Sequence, residues 1–427
     1  MRILLLTTYF RPDVAANGII MGALADEFVA RGHHVTVVTT VPHYDINQIW
    51  PDYRGSLQFV ESSKSMQVYR LYTYVAQDKA NVFQRLLAYG SFSLLSTLRC
   101  LTLPAHDVGL VPSPPLSNGV IADLVARLRG TPFVYNVQDI WPDVAVRAGV
   151  LKNQRIIQSL KKMERFVYRR AAGVTVISES FRKNLLEKGV PEEKISIIPN
   201  FTDISFITPQ PKRNPFSIRQ NIADKFVVLY AGNMGISQGL ETVLDAANLL
   251  KGFEEIEFLM IGNGAGRDRA QSYLSGLGLR NVCFLPYQPR EDLPAIYGSA
   301  DVCLVPLRRG FTSESTPSKL LTIMAAGRPA IAAVDPGSET WQLLQETQCG
   351  LCVKPEDPRS LADAIIHYFH NNSQREKAGQ NARRCAEVKF RAGAVAEQYL
   401  QVMSRAIGLD RGSNEITGGK VERGHKH

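Results

Sequence analysis

Two doubly wound α/β halves are the fold class that this sequence predicts, and three observations predict it. Short Val- and Ile-rich runs alternate with segments whose apolar residues recur at helical spacing. The alternation breaks once, in the Pro-rich stretch between Phe201 and Asp224, and then resumes. The 427 residues exceed what one hydrophobic core holds, so two domains of ordinary size are expected.

The first half opens on the apolar run Ile3–Thr8, followed by the Pro12–Gly18 loop. A helix through Met21–Arg31 follows and Gly32 ends it. Val35–Thr40, Val108–Val111, Phe133–Val137, Val174–Ile177 and Ile195–Ile198 read as further strands. Such near-continuous apolar runs fit buried parallel strands with helices over both faces. The second half repeats the pattern with strands at Phe226–Tyr230, Ile256–Ile261, Val282–Leu285, Val302–Val305, Ala330–Val334 and Leu351–Val353. Helices are expected near Gly239–Lys251, Arg267–Ser275, Leu293–Gly298, Ser318–Ala326 and Leu361–His370, and one long helix over about 380–404. The expected domains are 1–205, completed by that last helix, a linker over 206–224, and 225–379. The Gly-rich polar tail, 408–427, is expected to be disordered.

With 45% hydrophobic and 21% charged residues, the chain is not a disordered one. The opening "MRILLLTTYFRPD" reads as a strand rather than a signal peptide, because its apolar run ends in Pro and Asp. No apolar run reaches the ~18 residues of a membrane span. Six cysteines, at 100, 283, 303, 349, 352 and 385, sit mostly in apolar runs and read as reduced thiols. Cys349-Gly-Leu-Cys352 has the spacing of a redox motif, but a Gly turn entering a strand accounts for it. The net charge of +9 is uneven: residues 1–200 hold 23 Lys+Arg against 16 Asp+Glu, the remainder 26 against 24. The first half therefore suits an anionic surface or substrate, or simply a solvated basic face.

Ligands of open α/β sheets bind beyond the carboxyl ends of the strands, so residues there carry the chemistry. "AGNMGISQGLETVL" supplies Gly232, Asn233, Gly235 and Gln238 ahead of a helix, and such an amino end attracts anions. Gly262 and Arg267 bracket a second glycine loop that has neither dinucleotide nor P-loop spacing. In "TPSKLLTIMAAGRP", Pro317 suits a first helical turn, Ser318 can cap or bind an oxyanion, and Lys319 brings a mobile charge. Together these residues describe a site for an anion with several oxygens. In the first half, Gly18 and His43 follow the first two strands and Asp139 follows the strand 133–137. Asp139 is the carboxylate best placed for acceptor chemistry; an N-cap or an ion pair is the alternative.

These pieces resemble the retaining family 4 glycosyltransferases, which have the GT-B fold of two Rossmann-like domains facing a central cleft. "RGHHVTVVT", "VISESFRKNLLEKGVPEEKISIIPNFTD", "YAGNMGISQGLETVLDAANLL", "ADVCLVPL" and "MAAGRPAIA" match the family's segments in order over nearly the whole chain. "VPHYDINQIWPDYRG", "QDIWPD" and "TPSKLL" resemble the fucosyl- and N-acetylfucosaminyl-transferase-like enzymes of colanic-acid and O-antigen assembly. The chain departs from the wider family where Asn233 and Gln238 replace an Arg and a Lys of the glycine loop. Glu314 matches the first of two paired glutamates, Thr322 stands at the second, and Gln138-Asp139 replaces His-Asp. By charge logic Lys319 and Arg267 then neutralise the diphosphate, a relocated cation in place of the missing pair.

The resemblance implies transfer of a sugar from a nucleoside diphosphate, UDP favoured over GDP, to a glycan or polyprenyl-linked acceptor in surface polysaccharide assembly. It implies catalytic roles for Asp139, Lys319 and Glu314. It implies donor contacts from the two glycine loops, Ser318, Lys319 and Thr322, and acceptor contacts from Gly18, His43 and Asp139. No cofactor is expected, and without an Asp-x-Asp triplet a metal held by that motif is not indicated. The apolar segment Asn81–Pro104 and the basic segment Lys152–Gly173 suit an anionic membrane surface, a buried helix and a solvated helix being the alternatives. Mostly through the resemblance, a cytoplasmic enzyme peripheral to the inner face of the membrane is expected. No nucleic-acid partner is expected. A sugar-nucleotide 2-epimerase and a non-catalytic nucleotide-sugar-binding protein are the alternatives.

Overall fold

The computed structural model describes residues 1–13, 15–44, 47–76, 82–147, 151–311 and 318–408. The chain forms two units. The first gathers Met1–Ile177, Phe181–Ile198 and the final helix from Ala396; the second gathers Ser178–Ser180 and Pro199–Val395.

The first unit is built on eight strands: β1 (Arg2–Leu6), β2 (His34–Thr40), β3 (Gln58–Ser62), β4 (Met66–Leu71), β5 (Val108–Ser113), β6 (Phe133–Val137), β7 (Gly173–Val176) and β8 (Ile195–Ile197). Their order is β3-β4-β2-β1-β5-β6-β7-β8, parallel except for the β3–β4 pair. The apolar runs form the inner strands, as their burial requires; β1, β5, β6 and β7 carry the core residues Leu4, Val111, Tyr135 and Val174. The edge hairpin β3–β4 is absent from the sequence reading because β3 alternates exposed and half-buried residues and Gln67 and Arg70 interrupt the apolar run of β4. The helix after β1 (Ala16–Ala30) leads to β2 on one side, and the helix after β5 (Leu116–Arg129) leads to β6 on the other.

The second unit has six parallel strands: β9 (Phe226–Ala231), β10 (Ile256–Ile261), β11 (Val282–Leu285), β12 (Val302–Pro306), β13 (Ala330–Ala333) and β14 (Gly350–Val353). Their order is β11-β10-β9-β12-β13-β14, with a buried cluster on each face of the sheet. Here too the topology switches at the centre. The helix Leu240–Leu249 carries the chain from β9 to β10, and the helix Ser318–Ala325 carries it from β12 to β13. Neighbouring strands β9 and β12 therefore send their chains in opposite directions, which opens a crevice at their carboxyl ends.

The single helix expected over about 380–404 is two helices, Asn372–Lys389 and Ala392–Ala406. They part at Phe390–Arg391, where Phe390 O accepts Thr202 N–H at 3.1 Å and Arg391 bridges Thr202. Beyond the break, Tyr399 is buried in the first unit, and its hydroxyl lies 2.8 Å from Asn136 Nδ2. The six cysteines are all free thiols. Burial pushes the Cys349 and Cys352 thiols up to about 11 and about 12, and Gly350 opens β14, so this pair packs as a strand entry.

Candidate functional site

Strand register sets the second unit's site. Ala231 of β9 pairs with Ile261 of β10, so both strands end level and Gly232 stands beside Gly262. The two loops are then laced together. Gly232 N donates to Ile261 O, Met234 N to Asn263 O and Gly266 N to Met234 O, at 2.7–2.9 Å. Gly262 has φ 146°, and a Cβ there would fall 1.9 Å from Gly232 O. A Cβ on Gly264 would fall 2.5 Å from Asn233 Oδ1. The glycines of the second loop thus allow loop-on-loop packing. Gly232 itself has φ 141°, whereas Gly235 has φ −73° and no positive-φ requirement.

Lys319 enters this crevice from the helix Ser318–Ala325. The helix buries Leu320, Leu321, Ile323 and Met324, which anchors it and leaves its first two residues at the strand ends. The Lys319 ammonium donates to Tyr230 Oη at 3.1 Å and to Gln238 Oε1, and lies 4.3 Å from the Tyr230 ring centre. The Tyr230 hydroxyl donates in turn to Asn233 O at 2.6 Å. Lys319 as a residue keeps some exposed surface, but its ammonium is enclosed, and burial alone lowers it to about 7. Among the described residues no carboxylate pairs with it.

The remaining predicted donor residues are less uniform. Asn233 is exposed, its amide lying over the loop glycines. Arg267 begins the helix Arg267–Leu277, and its Nε is buried without a hydrogen-bond partner. Ser318 is exposed, and Thr322 lies one turn beyond it. Glu314 and Pro317 lie outside the described residues. The sequence reading missed Arg308, two residues past β12. Its N–H donates to Ser237 O at 2.8 Å, its guanidinium pairs with Glu241 at 3.1 Å, and its side chain backs Gly239. A cation so soon after an apolar strand was the available signal.

The helix Leu240–Leu249 has Gly239 as its N-cap, with no side-chain hydrogen bond to its first amides. Bare amides, the helix dipole and an enclosed ammonium stand on one crevice, an arrangement that complements a polyanion.

In the first unit, Gly18 lies within a helix, and a Cβ there would approach the Tyr9 and Phe10 backbone at 3.3 Å. The half-buried His43 contacts Val41 O through Nδ1 at 2.8 Å, which in the neutral ring places the proton on Nδ1 and leaves Nε2 to accept. The buried Asp13, also missed, accepts from the His43 and Tyr44 amides at 3.1 and 2.9 Å. Asp139 is exposed just past β6. Its strand and that of His43 are separated by β1 and β5, about 14 Å at ordinary strand spacing, so the two would meet different parts of one acceptor rather than each other. Among the described residues no His, Cys, Asp and Glu cluster could hold a metal ion.

Residues 18–200 match the glycosyl transferase 4-like domain, and residues 213–385 match the glycosyl transferases group 1 family. The chain is 30% identical over 394 residues to WcaI of Escherichia coli K12, a glycosyl transferase assigned by inference to colanic acid biosynthesis. The match covers 88% of this chain and 95% of that one. Over 293 residues it is 29% identical to WbjE of Pseudomonas aeruginosa, itself assigned by inference as a glycosyltransferase, covering 68% and 71%. The Anabaena Alr3699/HepE crystal structure, in complex with UDP, superposes with a TM-score of 0.70 at 16% identity, covering 95% of this chain and 100% of that one. The order of elements, the two switched sheets and these matches agree: the chain belongs to the glycosyltransferases of the group 1, family 4-like type, with the two Rossmann-like domains of the GT-B fold.

Proposed function

We propose that this chain is a retaining transferase that moves a sugar from a nucleoside diphosphate, UDP in preference to GDP, onto a glycan or polyprenyl-diphosphate-linked acceptor in surface polysaccharide biosynthesis. The sugar is fucose, N-acetylfucosamine or a related hexose. The observation that carries this reading is the enclosed Lys319 ammonium at the β9–β12 crevice, beside uncapped helix amides. The likeness to WcaI supports the polysaccharide assignment, and the UDP complex of Alr3699/HepE supports the donor class.

As the bond between the anomeric carbon and the β-phosphate oxygen breaks, negative charge grows on that oxygen. Lys319, Arg267 and the amides opening the helix Leu240–Leu249 stabilise that charge more in the transition state than in the ground state. The acceptor hydroxyl attacks from the face the phosphate leaves, and its proton passes to the departing phosphate oxygen. Asp139 and His43 orient the acceptor, and Glu314 contacts the sugar.

Membrane association is part of the same proposal. The helix Val82–Thr102 contains no acidic residue and exposes Leu87, Tyr89, Leu94 and Leu98. No helix among the described residues is long and apolar enough to cross a membrane, so this face would lie on the surface of one.

The test is thermal unfolding against UDP- and GDP-sugars, followed by incubation of the stabilising donor with a lipid-linked glycan extract. Stabilisation by a UDP-sugar and a lengthened glycan are expected. An epimerised donor formed without acceptor, or binding with no transfer to any acceptor, would overturn the reading.

A further inference from the structure

The helix Gln154–Arg170 and the segment 188–194 leading into β8 enclose a groove of about 450 Å³ in the first unit. Five cations line it: Lys162, Arg165, Arg169, Lys188 and Lys194. No carboxylate is among its lining residues. The groove lies where the chain enters β7 and β8, at the opposite ends of the strands from the loops bearing His43 and Asp139.

Two of the cations are fixed in place. Lys188 donates to the buried Glu164 at 2.6 Å and pairs with Asp143 at 2.8 Å, and neither carboxylate is among the groove's lining residues. Lys194 donates to Arg169 O at 2.9 Å and Ala171 O at 3.0 Å, the carbonyls that end the helix, and an ammonium has a third N–H beyond those two. The other three stand at positions i, i+3 and i+7 of one helix, on a single exposed face. Among the described residues none of the three has an ion pair.

Like charges at helical neighbours repel, so clustering them on one face is mildly unfavourable for the helix itself. Here they converge on a concavity holding about 15 waters' volume, room for one or two phosphates with part of their hydration. Forked guanidiniums at Arg165 and Arg169 match phosphate oxygens in pairs.

From this convergence we infer that the groove is a binding site for a phosphate-bearing group, separate from the donor crevice. The group is either a phospholipid headgroup or a soluble phosphate anion. The inference sharpens the membrane reading from a diffuse basic face to one groove, and it does not depend on sugar transfer.

The test compares wild type with two triple variants of equal charge change. One removes the groove face, Lys162→Gln, Arg165→Gln and Arg169→Gln. The other removes cations of the same region outside the groove, Lys152→Gln, Arg155→Gln and Lys161→Gln. All six positions are exposed, and glutamine suits a helix, so both proteins should fold. The probes are inorganic pyrophosphate by calorimetry and phosphatidylglycerol–phosphatidylcholine vesicles by co-sedimentation. Pyrophosphate bound in the donor crevice is common to all three proteins and cancels in the comparison.

The groove triple should weaken at least one probe by about tenfold or more, and the control by about twofold or less. Loss confined to vesicles identifies a headgroup; loss confined to pyrophosphate identifies a soluble anion. Equal losses in the two triples would leave only diffuse attraction to the membrane and overturn the groove site. So would a wild type that binds neither probe.

Discussion

The Lys319 ammonium lies 3.1 Å from the Tyr230 hydroxyl and 4.3 Å from the centre of the same ring, although 89 positions separate the two residues. The contact places a cation against Gln238, where the wider family has a lysine of its own. Lys319→Met should therefore weaken UDP binding by about 10- to 100-fold, the loss of one charge-assisted phosphate contact. Calorimetry reads this directly, and an unchanged Kd would remove Lys319 from the site.

The same enclosure makes donor binding depend on pH. Burial lowers the Lys319 ammonium to about 7, and an arriving diphosphate favours the charged form. From about pH 7 upward the free protein must take up a proton to bind. Affinity should then fall as pH rises, at most about tenfold per unit, and titrations in buffers of different ionisation enthalpy should show proton uptake. Stability runs the other way: the unfolded chain holds this proton more tightly, so the penalty is full below pH 7 and is relieved as pH climbs toward the ordinary lysine value. The wild-type minus Lys319→Met stability difference should change over that window; a flat difference would contradict the enclosed ammonium.

Gly262→Ala and Gly235→Ala should behave differently although both are loop glycines. A Cβ at 262 meets Gly232 O at 1.9 Å with φ at 146°, whereas at 235 the nearest atom is 3.4 Å away. The first change should cost at least about 1–3 kcal/mol and part the two loops, abolishing UDP binding. The second should leave both properties near wild type. Denaturant midpoints measured with and without UDP separate the two outcomes.

Asp139→Asn keeps the side-chain shape and removes the charge. If Asp139 orients the acceptor, transfer should fall by about 100-fold or more while UDP affinity holds. A parallel loss of UDP affinity would place the residue in the donor site instead.

Tyr399→Phe should destabilise the first unit by about 1–3 kcal/mol, because the buried Asn136 amide loses an acceptor at 2.8 Å. A urea midpoint equal to wild type would mean that the amide finds another partner.

Much of the architecture was legible because buried parallel strands need long apolar runs, and those runs are visible in sequence. The edge strand β3 was not, since Gln58, Val60 and Ser62 are exposed and polar Glu61 interrupts its half-buried face, leaving no apolar run. The long carboxyl-terminal helix read as one because both halves have helical periodicity; the break falls where Phe390 and Arg391 bond distant Thr202, a contact invisible in sequence. At the site, residue types were legible and partnerships were not. Gly262 read as room for a ligand, while its neighbour is the backbone of Gly232, brought level by the β9–β10 register. Arg308 and Asp13 escaped notice because their importance comes from long-range neighbours, Ser237 and Glu241 for one, His43 for the other.

The bond between Asn136 and Tyr399 spans 263 positions of sequence. A ribosome adding ~5–20 residues per second therefore leaves the nascent first unit without its last helix for about 10 to 50 s. Throughout that interval the whole second sheet emerges and is free to close first. The last helix then acts as a clasp, and the earliest-made part of this enzyme is the latest to be finished.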